Sequence, residues 1–212
     1  MAKSNKYGYS GVNIPTQEFN DNKGKFDPAE INELVADNKW TQYGQLEHIK
    51  TLSGSSATSL TFTDIKSDIY DIHFATFIVD KQSSGDADYP GWQFAENGTM
   101  ETSTVYYNTA KWYSVSGSGN DANNTSINRI RIGIGSSYSI LYGGYTYFYN
   151  LGHSNAYSYA SGQLVSAETG GTVFNANFAG VLRQTSFVDQ IKFIEDATMT
   201  TIKMSLYGIR YV

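Results

Sequence analysis

After about residue 45, apolar and polar residues alternate along much of the chain at a period of two, the spacing of strands. Ile130, Ile132 and Ile134 fall on one side of a strand, with Arg129 and Arg131 on the other. Ile202, Met204 and Leu206 alternate with Lys203, Ser205 and Tyr207, and Gly208 interrupts them as a bulge would. The pattern predicts strands at 45–51, 59–65, 70–79, 91–95, 104–115, 127–134, 145–150, 172–178, 187–194 and 200–211. Asn97-Gly98 is a two-residue hairpin turn signal. Ser/Gly/Asn-rich stretches at 53–56, 83–88 and 116–124 read as loops. About ten short strands separated by turns imply a mainly β body, an antiparallel β-sandwich of jelly-roll type. No fixed-period repeat is visible, which argues against a β-helix or a propeller.

The start of the chain follows a different pattern. Residues 1–26 are poor in apolar side chains, and Gly8, Gly11, Pro15 and Gly24 break any periodicity. Tyr7, Tyr9, Val12, Ile14, Phe19 and Phe26 are spaced along it as anchors, which suits an extended arm that docks on something. Asp27-Pro28-Ala29-Glu30 then signals a helix start: a capping carboxylate, proline at the first helical position and a glutamate three residues after the cap. Ile31, Leu34 and Val35 form one apolar stripe, so a short helix is expected over 28–38. The expected division is an arm plus helix over 1–44 and a β body over 45–212. The opening residues Met1 to Lys6 carry no apolar run, so no signal peptide is expected.

Composition narrows the partners. A chain of 212 residues can bury one sizeable core. Its net charge of −5 argues against a basic nucleic-acid binder. Charged residues are only 17%, below the usual ~25% of globular domains, while aromatics reach 15%, with 17 Tyr and 11 Phe. That excess of uncharged aromatics favours strands over disorder. The absence of Cys excludes disulfides, thiolate nucleophiles and thiolate metal sites. The longest apolar stretch, 74–79, is far short of the ~20 residues of a membrane helix, so no membrane insertion is expected.

Candidate chemistry is sparse. His48, His73 and His153 are far apart in sequence. Asp71 and His73 lie two apart on an expected strand, where the carboxylate would orient the imidazole as a base. An ordinary sheet-surface pair is the stronger reading of them. No Gly-x-Ser-x-Gly, phosphate-binding loop or complete dinucleotide fingerprint is present. Asp86-Ala87-Asp88 begins like a calcium loop but meets Pro90 at the fifth position and Asn97 at the twelfth. The sequence therefore supplies no catalytic residue, metal ligand or cofactor. Its unusual segment is 138–159, with Tyr138, Tyr142, Tyr145, Tyr147, Tyr149, Tyr157 and Tyr159, of which Tyr142, Tyr145, Tyr147, Tyr149 and Tyr157 are the candidate contacts. In a strand, Tyr145, Tyr147 and Tyr149 share a face opposite Thr146 and Phe148. Three readings stay open: rings that stack on sugars, the core of a subunit contact, or ordinary packing.

Several stretches together resemble virion structural proteins of tailed bacteriophages, especially those of marine cyanophages. They are Tyr7-Gly8-Tyr9-Ser10-Gly11, the run Phe26-Asp27-Pro28-Ala29-Glu30-Ile31-Asn32-Glu33-Leu34, Trp40, and Gln45-Leu46-Glu47. Leu60-Thr61-Phe62-Thr63-Asp64-Ile65, Tyr70-Asp71-Ile72-His73-Phe74 and Met204-Ser205-Leu206-Tyr207-Gly208-Ile209 are similar to phage fibre and capsid-decoration domains. The resemblance implies a non-enzymatic part of a virion assembled in the host cytoplasm. It would be held by its arm to other virion proteins and project a β domain, often as a homotrimer. A host-surface glycan is the further partner, and a carbohydrate-binding module the alternative function.

Overall fold

The computed structural model describes Ala29, residues 31–33, 46–82, 89–133 and 140–209. The chain divides into two units, Met1–Gly44 and Gln45–Val212. In the first, Ala29 and residues 31–33 are helical, with Ile31 half-buried and Asn32 and Glu33 exposed. The arm positions Tyr7, Tyr9, Val12, Ile14, Phe19 and Phe26 lie outside the described residues, as does the rest of the expected helix.

The second unit is mainly β and antiparallel throughout. Its strands are β1 (Leu46–Thr63), β2 (Ile72–Lys81), β3 (Gly91–Glu96), β4 (Thr99–Met100), β5 (Tyr106–Ser114) and β6 (Gly119–Ile127). They continue as β7 (Ile130–Arg131), β8 (Ile140–Tyr149), β9 (Tyr157–Glu168), β10 (Val173–Thr185) and β11 (Val188–Ile209). All eleven belong to one curled sheet. No break in the hydrogen bonding divides it into separate sheets.

The long strand β11 makes the curl possible. Its C-terminal half, Met199 to Ile209, lies between β1 and β2. Its N-terminal half, Val188 to Ile194, lies between β1 and β3. From β2 a long limb continues through β8, β9, β10, β5 and β6, while β3 carries the short strands β4 and β7. Between the two halves of β11, Ala57 pairs with Met199 but Ser59 pairs with Ile194, so residues 195–198 bulge out of the ladder opposite Thr58. A bulge bends its strand and increases the local twist, as this corner requires.

Polar groups hold the corner. Tyr142 donates to Glu195 Oε2 at 2.7 Å, and both residues are fully buried. Asp196 pairs with Arg129 at 2.9 Å, and Gln82 N–H donates to the Thr198 carbonyl at 3.0 Å. Between the limbs, Trp92 of β3 is fully buried against Phe77, Phe148 and Phe193, with ring centroids 5.0–5.9 Å apart. Its indole N–H donates to Thr146 Oγ1 of β8 at 2.9 Å. Aromatic pairs of this kind contribute about 0.5–1.5 kcal/mol each beyond the area they bury.

Several local expectations are corrected. Residues 53–56 continue β1, because the polar stretch is carried by pairing along β11. Most of the expected loop 116–124 is β6, an outermost strand whose Asn and Ser side chains face water. Tyr157–Glu168, where the apolar pattern predicts no strand, forms β9. Gly208 sits in regular pairing between Glu47 and His73, and the nearby shift falls at Ile49 of β1. Glycine is required at 208 for another reason: a Cβ there would lie 2.3 Å from the Tyr70 ring. At the Asn97-Gly98 turn both residues have positive φ, 50° and 78°, as a type I′ hairpin needs.

Two expected outcomes follow from this core. Tyr142→Phe leaves a buried Glu195 oxygen without its phenolic donor, so the unfolding free energy should fall by about 2 kcal/mol. Urea denaturation measures it, and an unchanged midpoint would show that the corner does not depend on this bond. His73 is fully buried, donates from Nε2 to the Ile65 carbonyl at 2.8 Å, and has its pKa lowered chiefly by desolvation. The unfolded chain therefore binds this proton more readily than the fold. The stabilising contribution of neutral His73 is complete above its unfolded value of 6.5 and lost as pH falls through the lower folded value. Urea midpoints taken from about pH 7.5 downward should drop below pH 6.5, and His73→Gln should flatten part of that slope.

Candidate functional site

Alternation on the long limb sends one set of side chains into the core and the other onto an open outer face. On β8, Tyr142, Thr146 and Phe148 point inward and are buried. Tyr145, Tyr147 and Tyr149 point outward, with Tyr145 37% exposed. The expected split of this tyrosine row is therefore observed. Tyr142 is the exception among the candidate contact residues: its parity puts it in the core, where it serves Glu195. Tyr157, at the start of β9, is exposed.

The register joins the outward tyrosines to rings from other strands. Tyr147 lies opposite Phe74 of β2, which lies opposite Tyr207 of β11, which lies opposite His48 of β1. Phe74 is the hub, with centroids 4.8 Å from Tyr147, 6.0 Å from Tyr145 and 6.2 Å from Tyr207. Tyr147 and Tyr149 are stacked at 6.4 Å, and His48 meets the Tyr207 edge at 5.4 Å. The hydroxyls of Tyr145, Tyr147, Tyr149 and Tyr207 have no hydrogen-bond partner among the described residues. Phe74 and Tyr207 were not singled out from sequence. Their signal was the parity of Ile72, Phe74, Thr76 and Ile78 against His73, Ala75, Phe77 and Val79, which an apolar run conceals.

The aromatic row leads into a groove at the far side of the limb. Tyr149 pairs with Tyr159, Tyr159 with Val181, and Val181 with Tyr107. In the next row Tyr147 pairs with Ser161, Ser161 with Ala179, and Ala179 with Thr109. Small residues in the middle of that second row leave an open groove of about 420 Å³ between Tyr159 and the β5–β6 hairpin.

The histidines do not assemble. His73 points into the core, whereas Asp71 is exposed and pairs with His153 at 3.1 Å. The expected Asp71–His73 pairing is thus corrected: the chain turns at Asp71 before β2 begins, so the two do not share a face. No group of three metal-ligating side chains occurs among the described residues. Asp86, Ala87 and Asp88, which open the calcium-like stretch, lie outside them. No described helix is long and apolar enough to cross a membrane.

No family model matches the chain, and no curated protein matches it. Among solved structures, a protein of unknown function from Bacteroides ovatus is similar over 62% of this chain and 45% of its own, at 11% identity and a TM-score of 0.19. The structure of infectious bursal disease virus Gx strain is matched over 99% of this chain and 49% of its own, at 10% identity and a TM-score of 0.11. The chain spans about half the length of each, and at these scores neither likeness carries an argument.

The hub is open to measurement. Phe74→Ala removes three ring contacts at once and should lower stability by about 2 kcal/mol with an unchanged denaturant slope. A loss under about 0.5 kcal/mol, the level of an ordinary surface change, would mean that the rings merely lie near one another.

Proposed function

We propose that the chain is a non-enzymatic structural protein of a tailed-phage particle, with residues 1–44 as the attachment part and the β body as a projecting domain that joins other copies of itself. The observation that carries this reading is the far end of the outer face. Ile78, Leu141 and Val165 are each at least half exposed there. Ile78 and Val165 both lie opposite Gly143, and Leu141 follows two residues along the same strand. Val173 and Tyr113 extend the same surface. Contiguous exposed apolar side chains of this kind mark protein contacts more often than free surface. A homotrimer is the favoured state.

A second reading has its own support. The tyrosine row offers ring faces and unengaged hydroxyls, the combination that stacks on a sugar and hydrogen-bonds its edges. In that reading the body is a carbohydrate-binding module, and host-surface glycan is its partner. The two readings use opposite ends of one face, so both are compatible with a projecting particle component.

Light scattering on the full chain tests the first. The wild type should form a stable oligomer at micromolar concentration, and Val165→Lys with Ile78→Lys should convert it to a folded monomer. A wild-type monomer would overturn assembly through this face. So would an oligomer that both lysines leave intact.

A further inference from the structure

We propose that the groove between Tyr159 and the β5–β6 hairpin seats an uncharged sugar ring, as the primary subsite of the outer face. This rests on the carbohydrate-binding reading and goes beyond it, because the groove uses residues of β5, β6, β9 and β10 that the tyrosine row does not include.

Register builds the groove. Its floor is Ala179, flanked by Val181, and its walls are the Tyr159 and Tyr107 rings. Opposite Tyr107 the ladder slips: Tyr106 pairs with Ile127, but Asn108 pairs with Asn124. Two residues of β6, Thr125 and Ser126, therefore oppose one residue of β5. Ser126 takes the left-handed conformation, with φ of 63°. Such a conformation costs energy in a non-glycine residue, and bulges of this kind re-aim side chains next to binding sites. Here the bulge places Thr125 on the groove wall.

The chemistry of the lining selects the ligand class. No carboxylate and no ammonium lines the groove. The nearby Arg183 guanidinium stacks on the Tyr107 ring at 4.4 Å and donates to its hydroxyl, so it fixes the wall. An anionic ligand thus finds no unengaged cation in the lining. Asn123 accepts from Thr109 Oγ1 through its side-chain oxygen at 2.6 Å, which leaves the amide N–H groups as donors toward the groove rim. Tyr159 adds a hydroxyl without a partner among the described residues. Ring faces with a rim of amides and hydroxyls match the C–H face and equatorial hydroxyls of a sugar. The exposed lining is mainly apolar, so the ligand lays an apolar ring face on the floor and keeps its hydroxyls at the rim. The volume falls in the usual range of small-ligand sites, roughly 300–1,000 Å³.

The experiment titrates the full chain with neutral oligosaccharides (cello-, malto-, manno- and chito-series) by isothermal calorimetry. Polygalacturonate and a short alkyl glycol are the anionic and apolar controls. Three variants separate the sites. Ala179→Trp fills the groove from an exposed position, Asn123→Ala removes the rim amide, and Tyr147→Ala removes a ring of the tyrosine row. The expected result is binding of at least one neutral series, abolished by Ala179→Trp and weakened about tenfold by Asn123→Ala. Tyr147→Ala should weaken it less. Binding that depends on Tyr147 and ignores Ala179→Trp would overturn the groove while sustaining the carbohydrate reading. Binding only of the alkyl glycol, blocked by Ala179→Trp, would make the groove an apolar site and overturn the proposal. No binding of any neutral series would remove both.

Discussion

The sheet depends on one strand serving two limbs. β11 is hydrogen-bonded to β1 along most of its 22 residues, yet on its other side it gives its first half to β3 and its second half to β2. A flat ribbon cannot do this and also bring β3 over β8. The four-residue bulge opposite Thr58 supplies the bend, and bulged backbone leaves groups that need partners. Gln82 N–H takes the Thr198 carbonyl, while Tyr142 and Arg129 take the Glu195 and Asp196 side chains that the bulge carries. Part of the cost of burying Glu195 is thereby tied to the topology: its bond from Tyr142 forms only when β8 lies beside β2 and β11 turns where it does.

Folding the short limb onto the inner face consumes the large inward side chains of the long limb. Trp92 meets Phe148 and Phe193, while Ile130 of β7 packs so closely on β10 that a Cβ at Gly180 would stand 2.5 Å from it. The inner face is then fully used. The outer face has no described element covering it, and its rings and aliphatic side chains share it with the Lys111–Asp121 pair, Asp80 and Lys203.

Much of this was legible from residue parity. Period-two alternation identifies a mainly β body, the turn chemistry of Asn97-Gly98 locates a hairpin, and the opposite facing of Tyr145 and Thr146 follows from strand geometry alone. What escaped has a common cause. β6, with the sequence GNDANNTSI, reads as loop because an outermost strand exposed to water needs no apolar alternation. The stretch 53–56 is a strand only because β11 runs beside it, a pairing some 150 residues away in sequence that no local window contains. Tyr142 was grouped with its neighbours by composition, although an odd step from Tyr145 already put it on the other face. The groove has no local signal because its floor is a small residue, Ala179, that the register places between Tyr159 and the β5–β6 hairpin.

The two ends of the outer face follow from the same arithmetic. Gly143 stands between Ile78 and Val165, whereas two residues further along the strand Tyr145 stands between Thr76 and Gln163, and two further Tyr147 stands between Phe74 and Ser161. Moving along β8, the cross-strand triplet thus changes from aliphatic with a low centre, to polar with an aromatic centre, to aromatic beside a small residue. A low centre flanked by exposed aliphatics suits insertion of a side chain from another protein surface. A tall ring beside a small residue suits a flat ligand lying against the ring. The intermediate triplet, with its threonine and glutamine, stands between the two environments, which lie two pleat repeats apart, about 14 Å. One β-face of uniform backbone geometry therefore presents two distinct chemical environments through the choice of three outward residues on a single strand.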